Sequence, residues 1–208
     1  MKFCVFLYEG MEPIDLATFG VLSMARRVAP SIAITTVAPA AGAVTLANGL
    51  KVLADHGIAA PPDFDVLIVG GGPGWTAQAE DPATLAFLKA SAARAQLVSV
   101  CTGGMILAAA GVLDGKRATT KNEVLASETA PLQMLRERHP AVETIQASVV
   151  DEGGVVTGGG VTLCIDTILH VLRTRIGEQV AAETARTIEY ARAWKANQAA
   201  LPVVLPQG

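Results

Sequence analysis

Two runs of apolar residues, DVLIV at 65–69 and QLVSV at 96–100, break off without a polar spacer into glycine-bearing turns. Runs this short and uniformly apolar suit strands buried on both faces, as in a parallel sheet covered by helices on its two sides. The turns, GGGPG at 70–74 and CTGG at 101–104, fall at the carboxyl ends of those strands, where open α/β sheets carry their ligand sites. The rest of the chain repeats the alternation. Residues 2 to 8 read as a buried first strand, and Pro13 opens a helix over 15–27 with Leu16, Phe19, Leu22 and Met24 at helical spacing. SIAITTVAP is a strand, and AVTLANGLKVLAD is a hairpin turning at Asn48-Gly49. Asp81-Pro82 opens a further helix, and Gly111 stops the one after Cys101. VVDEGGVVTGGG reads as two short strands around an acidic, glycine-bearing turn, Thr162 caps the helix LCIDTILHVLRTR, and a last helix runs from Glu178 to about Tyr190. These elements predict an α/β sandwich around a mainly parallel sheet, as one domain over 1–190. Two prolines in LPVVLPQG predict an irregular tail over 191–208.

Composition excludes several classes of function. With 51% hydrophobic and 17% charged residues, the 208-residue chain is not disordered over most of its length. A net charge of −3 gives no electrostatic footprint for nucleic acid or an anionic membrane. No apolar run reaches the ~18–20 residues of a membrane helix, and MKFCVFLYEG reads as a strand rather than a signal peptide. Cys4, Cys101 and Cys164 are odd in number and form no CxxC pair, so the chain predicts no metal site, no disulfide framework and a cytoplasmic address.

Cys101 stands at the junction of strand and helix. One reading is a small buried hydrophobe; the other is an elbow that pushes a nucleophilic thiol above the sheet edge, with Gly103 and Gly104 giving it room. In the second reading the helix start lowers the thiol pKa, and the Thr102 amide donates to an anion beside the sulfur. Gly72, in the other glycine turn, is the candidate for a second backbone donor. Glu9, Glu12 and Asp15 follow the first strand and reach the same sheet edge. Asp15, between Ile14 and Leu16, is the candidate acid, its pKa raised by burial, unless it is an ordinary helix N-cap. His56, His139 and His170 read as structural or solvated, and Asp166 as a buried helix residue with a polar partner.

On VFLYEGMEPIDL, FDVLIVGGGPG, EDPATLAFL, VSVCTGGMILAAAGVLDGKRATT and VVTGGGVTLCID, the chain resembles the ThiJ/PfpI superfamily, and within it the isonitrile (isocyanide) hydratases. The resemblance implies a flavodoxin-like fold, a homodimer, a small-molecule substrate and no metal or organic cofactor. It also implies Cys101 as nucleophile, Asp15 as the acid bonded to it, and Gly72 and Thr102 as backbone donors. Thr102 stands where peptidase-like relatives have histidine, which turns the reading away from a Cys-His protease. Gly70 replaces a proline, and Lys121-Asn122 replace a histidine and an aromatic residue. Gly71, Lys121 and Asn122 are therefore pocket candidates. No helix-turn-helix segment accompanies the motifs, so no nucleic-acid partner is expected. The implied activity is hydration of an isocyanide to a formamide. A glyoxalase or deglycase acting on reactive carbonyls, and a non-catalytic redox sensor or small-molecule binding module whose Cys101 oxidises to a sulfinate, stay open as alternatives.

Overall fold

The central strands form because their side chains have no water-facing side. In the computed structural model, which describes residues 1–206, β1 (Lys2–Phe6) begins the chain, followed by α1 (Ala17–Ala25), which a 3-10 turn at Pro13–Leu16 introduces. Next come β2 (Ala33–Ala38) and the antiparallel hairpin of β3 (Gly42–Thr45) and β4 (Lys51–Ala54). The hairpin turn is longer than Asn48-Gly49 alone, because residues 46–50 close it through Leu46 N–H to Leu50 O at 2.7 Å. The short β5 (His56–Gly57) and the fully buried β6 (Val66–Val69) lead to α2 (Trp75–Glu80) and α3 (Pro82–Ala92). Asp81 does cap α3, accepting from Thr84 N–H at 2.8 Å.

Then follow β7 (Gln96–Ser99), α4 (Gly103–Ala109), β8 (Arg117–Ala118), α5 (Pro131–Arg138) and β9 (Glu143–Thr144). The chain continues through β10 (Val149–Asp151), β11 (Val155–Gly158), α6 (Leu163–Arg175), α7 (Glu178–Thr187), α8 (Ala191–Ala200) and β12 (Val203–Val204). The main sheet has the order β12-β10-β11-β7-β6-β1-β2-β5, parallel except for the β10–β11 pair. This is the expected α/β sandwich with a mainly parallel sheet. Its centre, β6-β1 with β7 beside them, is almost wholly buried, which matches the unbroken apolar runs. None of the helices among the described residues is long and apolar enough to cross a membrane.

The C-terminal segment departs from expectation. Residues 191–200 are helical, anchored by Trp194 against the core, and β12 adds a parallel strand to β10. Prolines 202 and 206 bracket that strand at a sheet edge, where a missing amide costs little. Residues 207 and 208 of the expected tail lie outside the described residues. Asp166 explains why α8 docks: its carboxylate accepts from Tyr190 Oη at 2.8 Å and Asn197 Nδ2 at 3.0 Å. His170 is structural as expected, with Nε2 2.8 Å from Asp151 in the buried layer between α6 and β10. Thr162 sits at the N-cap of α6 but makes no side-chain cap bond.

Two glycines test this packing in opposite directions. A Cβ on Gly103 would overlap the Val69 carbonyl oxygen, backbone that cannot move without shifting the sheet, whereas one on Gly20 meets nothing. Gly103→Ala is expected to cost about 2–3 kcal/mol in urea unfolding. Gly20→Ala, in the exposed middle of α1, should instead stabilise by about 0.5–1 kcal/mol.

Candidate active site

Cys101 adopts φ +52°, a left-handed conformation rare outside glycine, at the turn between β7 and α4. Four bonds hold it there. Its N–H donates to Gly159 O at 3.1 Å and its carbonyl accepts from Thr120 Oγ1 at 2.6 Å. On either side, Val100 N–H donates to Val69 O at 3.0 Å and Gly103 N–H to Val100 O at 2.9 Å. The chain thus turns sharply enough to lift the side chain off the sheet edge into a cleft of about 800 Å³. The walls are mainly apolar, with Ile14, Pro73, Trp75, Pro131 and Met134 among them, and Glu12, Lys121 and Glu128 bring charge.

Asp15 lies behind this wall, fully buried. Its carboxyl does not cap its own helical turn: Oδ2 accepts from Gly71 N–H at 2.6 Å, across 56 residues, while Oδ1 is buried without a hydrogen-bond partner. Burial raises its pKa to about 6, against the Gly71 bond that lowers it, with Glu12 adding to the rise. The burial has a different source from the one expected. Ile14 is 43% exposed, and the cover is the glycine loop, because a Cβ on Gly70 would stand 3.3 Å from the Asp15 Cβ. Tyr8, unremarked in the sequence, pins that loop by donating from Oη to Gly70 O at 2.9 Å.

The lowered thiol pKa expected from the helix start does not hold. Burial, and then the Asp15 carboxylate, push the Cys101 thiol up to about 12. The Thr102 amide and hydroxyl and the Lys121 ammonium pull it down without prevailing. A seven-residue helix offers only a fractional charge, which loses to desolvation. Nor do Asp15 and Cys101 share a direct hydrogen bond; they are coupled through space, across the backbone of Gly71.

The other candidates divide. Thr102 lines the cleft with both donors near the sulfur. Gly72 also lines it, at φ +130°, yet its amide is occupied, donating to Thr102 Oγ1 at 2.9 Å. It is therefore not the free second donor that was expected. Gly71 does not reach the cleft: its N–H serves Asp15, its carbonyl accepts from Glu12 N–H at 2.9 Å, and a Cβ there would overlap Thr102. Lys121 lines the cleft, whereas Asn122 faces a separate depression with Gln133 and Arg136. Trp75 had a signal in its place directly after the glycine loop. Pro131 and Met134, from α5, had none, because only the fold brings that helix over the cleft. Among the described residues, no three His, Cys, Asp or Glu side chains cluster as metal ligands.

A profile of the DJ-1/PfpI family matches residues 1–174. Over 153 residues the chain is 36% identical to isonitrile hydratase of Pseudomonas putida, covering 72% of this chain and 62% of that protein. It is 30% identical over 151 residues to the HTH-type transcriptional regulator GbdR of Pseudomonas aeruginosa, covering 72% of this chain and 39% of the regulator. The chain thus spans less than two thirds of either relative. A THiJ/PfpI family protein from Pseudomonas syringae superposes with a TM-score of 0.78 at 29% identity, over 91% of this chain and 74% of that one. Drosophila melanogaster DJ-1beta shares the fold, with a TM-score of 0.75 at 21% identity over 90% and 97% of the two chains.

The buried carboxyl makes a signed prediction. The folded state holds the Asp15 proton more tightly than the unfolded chain, whose aspartate titrates near 4. The contribution to stability is therefore greatest below about pH 4 and falls by about 3 kcal/mol as the pH rises to about 6. Urea titrations should show that fall in wild type and its absence in Asp15→Asn. At pH 8 the same variant should alkylate Cys101 faster with iodoacetamide, because a neutral amide no longer opposes thiolate. In both proteins Cys101 should label before Cys4 and Cys164, which have no exposed surface.

Proposed function

Because this chain belongs to the DJ-1/PfpI family, we propose that it is a cysteine-dependent hydratase converting an isocyanide and water to an N-substituted formamide. The observation that carries this reading is Cys101 itself, a left-handed cysteine lining an apolar cleft with a buried carboxyl behind it. The 36% identity to isonitrile hydratase supports the substrate class. An isocyanide is uncharged, so it loses little hydration on entering walls such as Ile14, Trp75 and Met134, where an ion would lose much.

Near pH 7, with pKa values of about 6 and about 12, the resting pair is an Asp15 carboxylate and a Cys101 thiol. As sulfur bonds the terminal isocyanide carbon the thiol proton moves to that carbon, giving a thioimidate, and the Asp15 carboxylate behind the wall favours its departure from sulfur. Water then adds to the carbon-nitrogen double bond, and nitrogen and oxygen end with one water proton each. Collapse of the adduct breaks the carbon–sulfur bond with its electron pair going to sulfur. The hydroxyl proton passes to the sulfur, and the formamide leaves. The thiol thus gives one proton to carbon in the first half and regains a different one, from water, in the second, both beside a carboxyl whose pKa lies near the working pH.

The regulator likeness favours a second reading, a ligand-binding module in which Cys101 senses rather than turns over. Formamide appearance from an aryl isocyanide, followed by absorbance, separates the two. Cys101→Ala should abolish turnover, and Asp15→Asn should slow it roughly 100-fold or more. In wild type, kcat/KM should climb as the pH rises through about 6, where Asp15 ionises. Cys101-dependent consumption of methylglyoxal in place of isocyanides would replace the hydratase by a glyoxalase. Inactivity on both would leave the sensor.

A further inference from the structure

The second half of the hydration cycle needs a proton for the adduct nitrogen, and a backbone amide, the Thr102 N–H beside the sulfur included, can hydrogen-bond but cannot give its proton up. The Gly72 amide is spent on the Thr102 hydroxyl, and the Gly71 amide on Asp15. One other donor of the right chemistry lines the cleft with Cys101, the ammonium of Lys121, which is the only cationic side chain along its walls among the described residues. Its place is built rather than incidental. The Lys121 stem lies across Gly160, where a Cβ would stand 2.7 Å from the Lys121 Cβ and Cγ. Gly160 adjoins Gly159, whose carbonyl holds the Cys101 amide, so the strand turn that fixes the cysteine also seats the lysine. Lys121 O accepts from Leu132 N–H at 3.0 Å, which ties the same residue to the start of α5. Nζ donates to the Glu123 carbonyl, leaving two of its three protons free. No carboxylate among the described residues pairs with it within 4.0 Å, although Glu12 and Glu128 share the cleft. The Glu128 carboxylate is engaged, accepting from Leu125 N–H at 3.1 Å.

We propose that Lys121 is a catalytic residue of this site: its ammonium gives a proton to the nitrogen of the Cys101 adduct as water attacks. This rests on the hydratase reading. As the water oxygen bonds the thioimidate carbon, the carbon–nitrogen π pair moves to nitrogen and takes a proton from Lys121. The attacking water gives a proton back to the amine, and the ammonium is restored. Collapse then expels sulfur with the carbon–sulfur pair, the hydroxyl proton goes to the thiol, and no other reactant is consumed. The field of the same ammonium partly offsets Asp15 at the sulfur. Of the other titratable groups around Cys101, Tyr8, Asp15 and Cys164 do not line the cleft, and Glu12 and Glu128, which do, are carboxyls without a cation's charge.

Two readouts test the assignment. Lys121→Met should lower kcat on an aryl isocyanide about 100-fold or more, and Lys121→Arg should recover at least a tenth of wild type. Independently of any substrate, a cation beside the sulfur favours an anionic alkylating agent over a neutral one. The ratio of Cys101 alkylation rates, iodoacetate over iodoacetamide, should therefore fall severalfold in Lys121→Met and hold in Lys121→Arg, with circular dichroism confirming that both variants are folded. An unchanged ratio in Lys121→Met overturns the proposal, as does wild-type turnover in that variant. A wild type that hydrates no isocyanide while the ratio still falls removes the hydratase reading and retains the cation at the sulfur.

Discussion

The structure depends on three pieces of backbone that glycines allow to approach one another closely. The turn after β1, the glycine loop after β6 and the elbow after β7 meet at one sheet edge. A Cβ on Gly72 would overlap Glu12 N, one on Gly74 the Glu9 carbonyl, one on Gly71 the Thr102 amide, and one on Gly103 the Val69 carbonyl. Such close approach lets short backbone bonds cross from loop to loop, among them Glu12 N–H to Gly71 O and Gly74 N–H to Gly10 O. It also explains how a non-glycine residue holds φ +52°. A strained conformation of this kind costs on the order of 1–3 kcal/mol and persists only where its surroundings over-determine it.

The same compactness sets the electrostatics. Water is kept from Asp15 and nearly kept from Cys101, so both favour their neutral forms, and the charge of either raises the cost of charging the other. A wider site would let each ionise freely, giving a more reactive thiolate at rest but no poised proton. The helix start and Thr102 reduce the penalty on the thiolate without removing it, because partial charges cannot replace full hydration. Lys121 brings a whole charge from the far side of the cleft wall, on a segment held by Gly160 and α5. Among the described residues no carboxylate pairs with it within 4.0 Å, although Glu12 and Glu128 stand in the same cleft.

The C-terminal segment illustrates how one buried group organises a distant element. Residues 191–200 carry little apolar patterning of their own, yet they form a helix. Asp166, buried near the start of α6, needs donors, and Tyr190 and Asn197 supply them from the last turn before α8 and from within it. A carboxyl left without donors there would be costly, so the polar pairing directs where the chain end packs. Trp194 then fills the apolar side of the contact, three residues before Asn197.

The sequence by itself determined the central strands, the α/β layering and the place of the cysteine. Runs such as VLIV and QLVS have no polar face to expose, and glycine directly after them allows a turn that other residues obstruct. Asp15 was legible as an acid at the right edge, and its raised pKa followed from burial. Only the tertiary structure decided what each polar group was joined to. The Gly72 amide found Thr102 instead of a substrate, Asp15 reached Gly71 instead of the thiol, and Asn122 turned from the cleft that Lys121 faces. Hydrophobic burial is nearly additive along a chain and leaves its period in the sequence. Hydrogen-bond partners and pKa shifts depend instead on single contacts between residues 30 or 56 positions apart, and no local pattern encodes which of several donors will arrive.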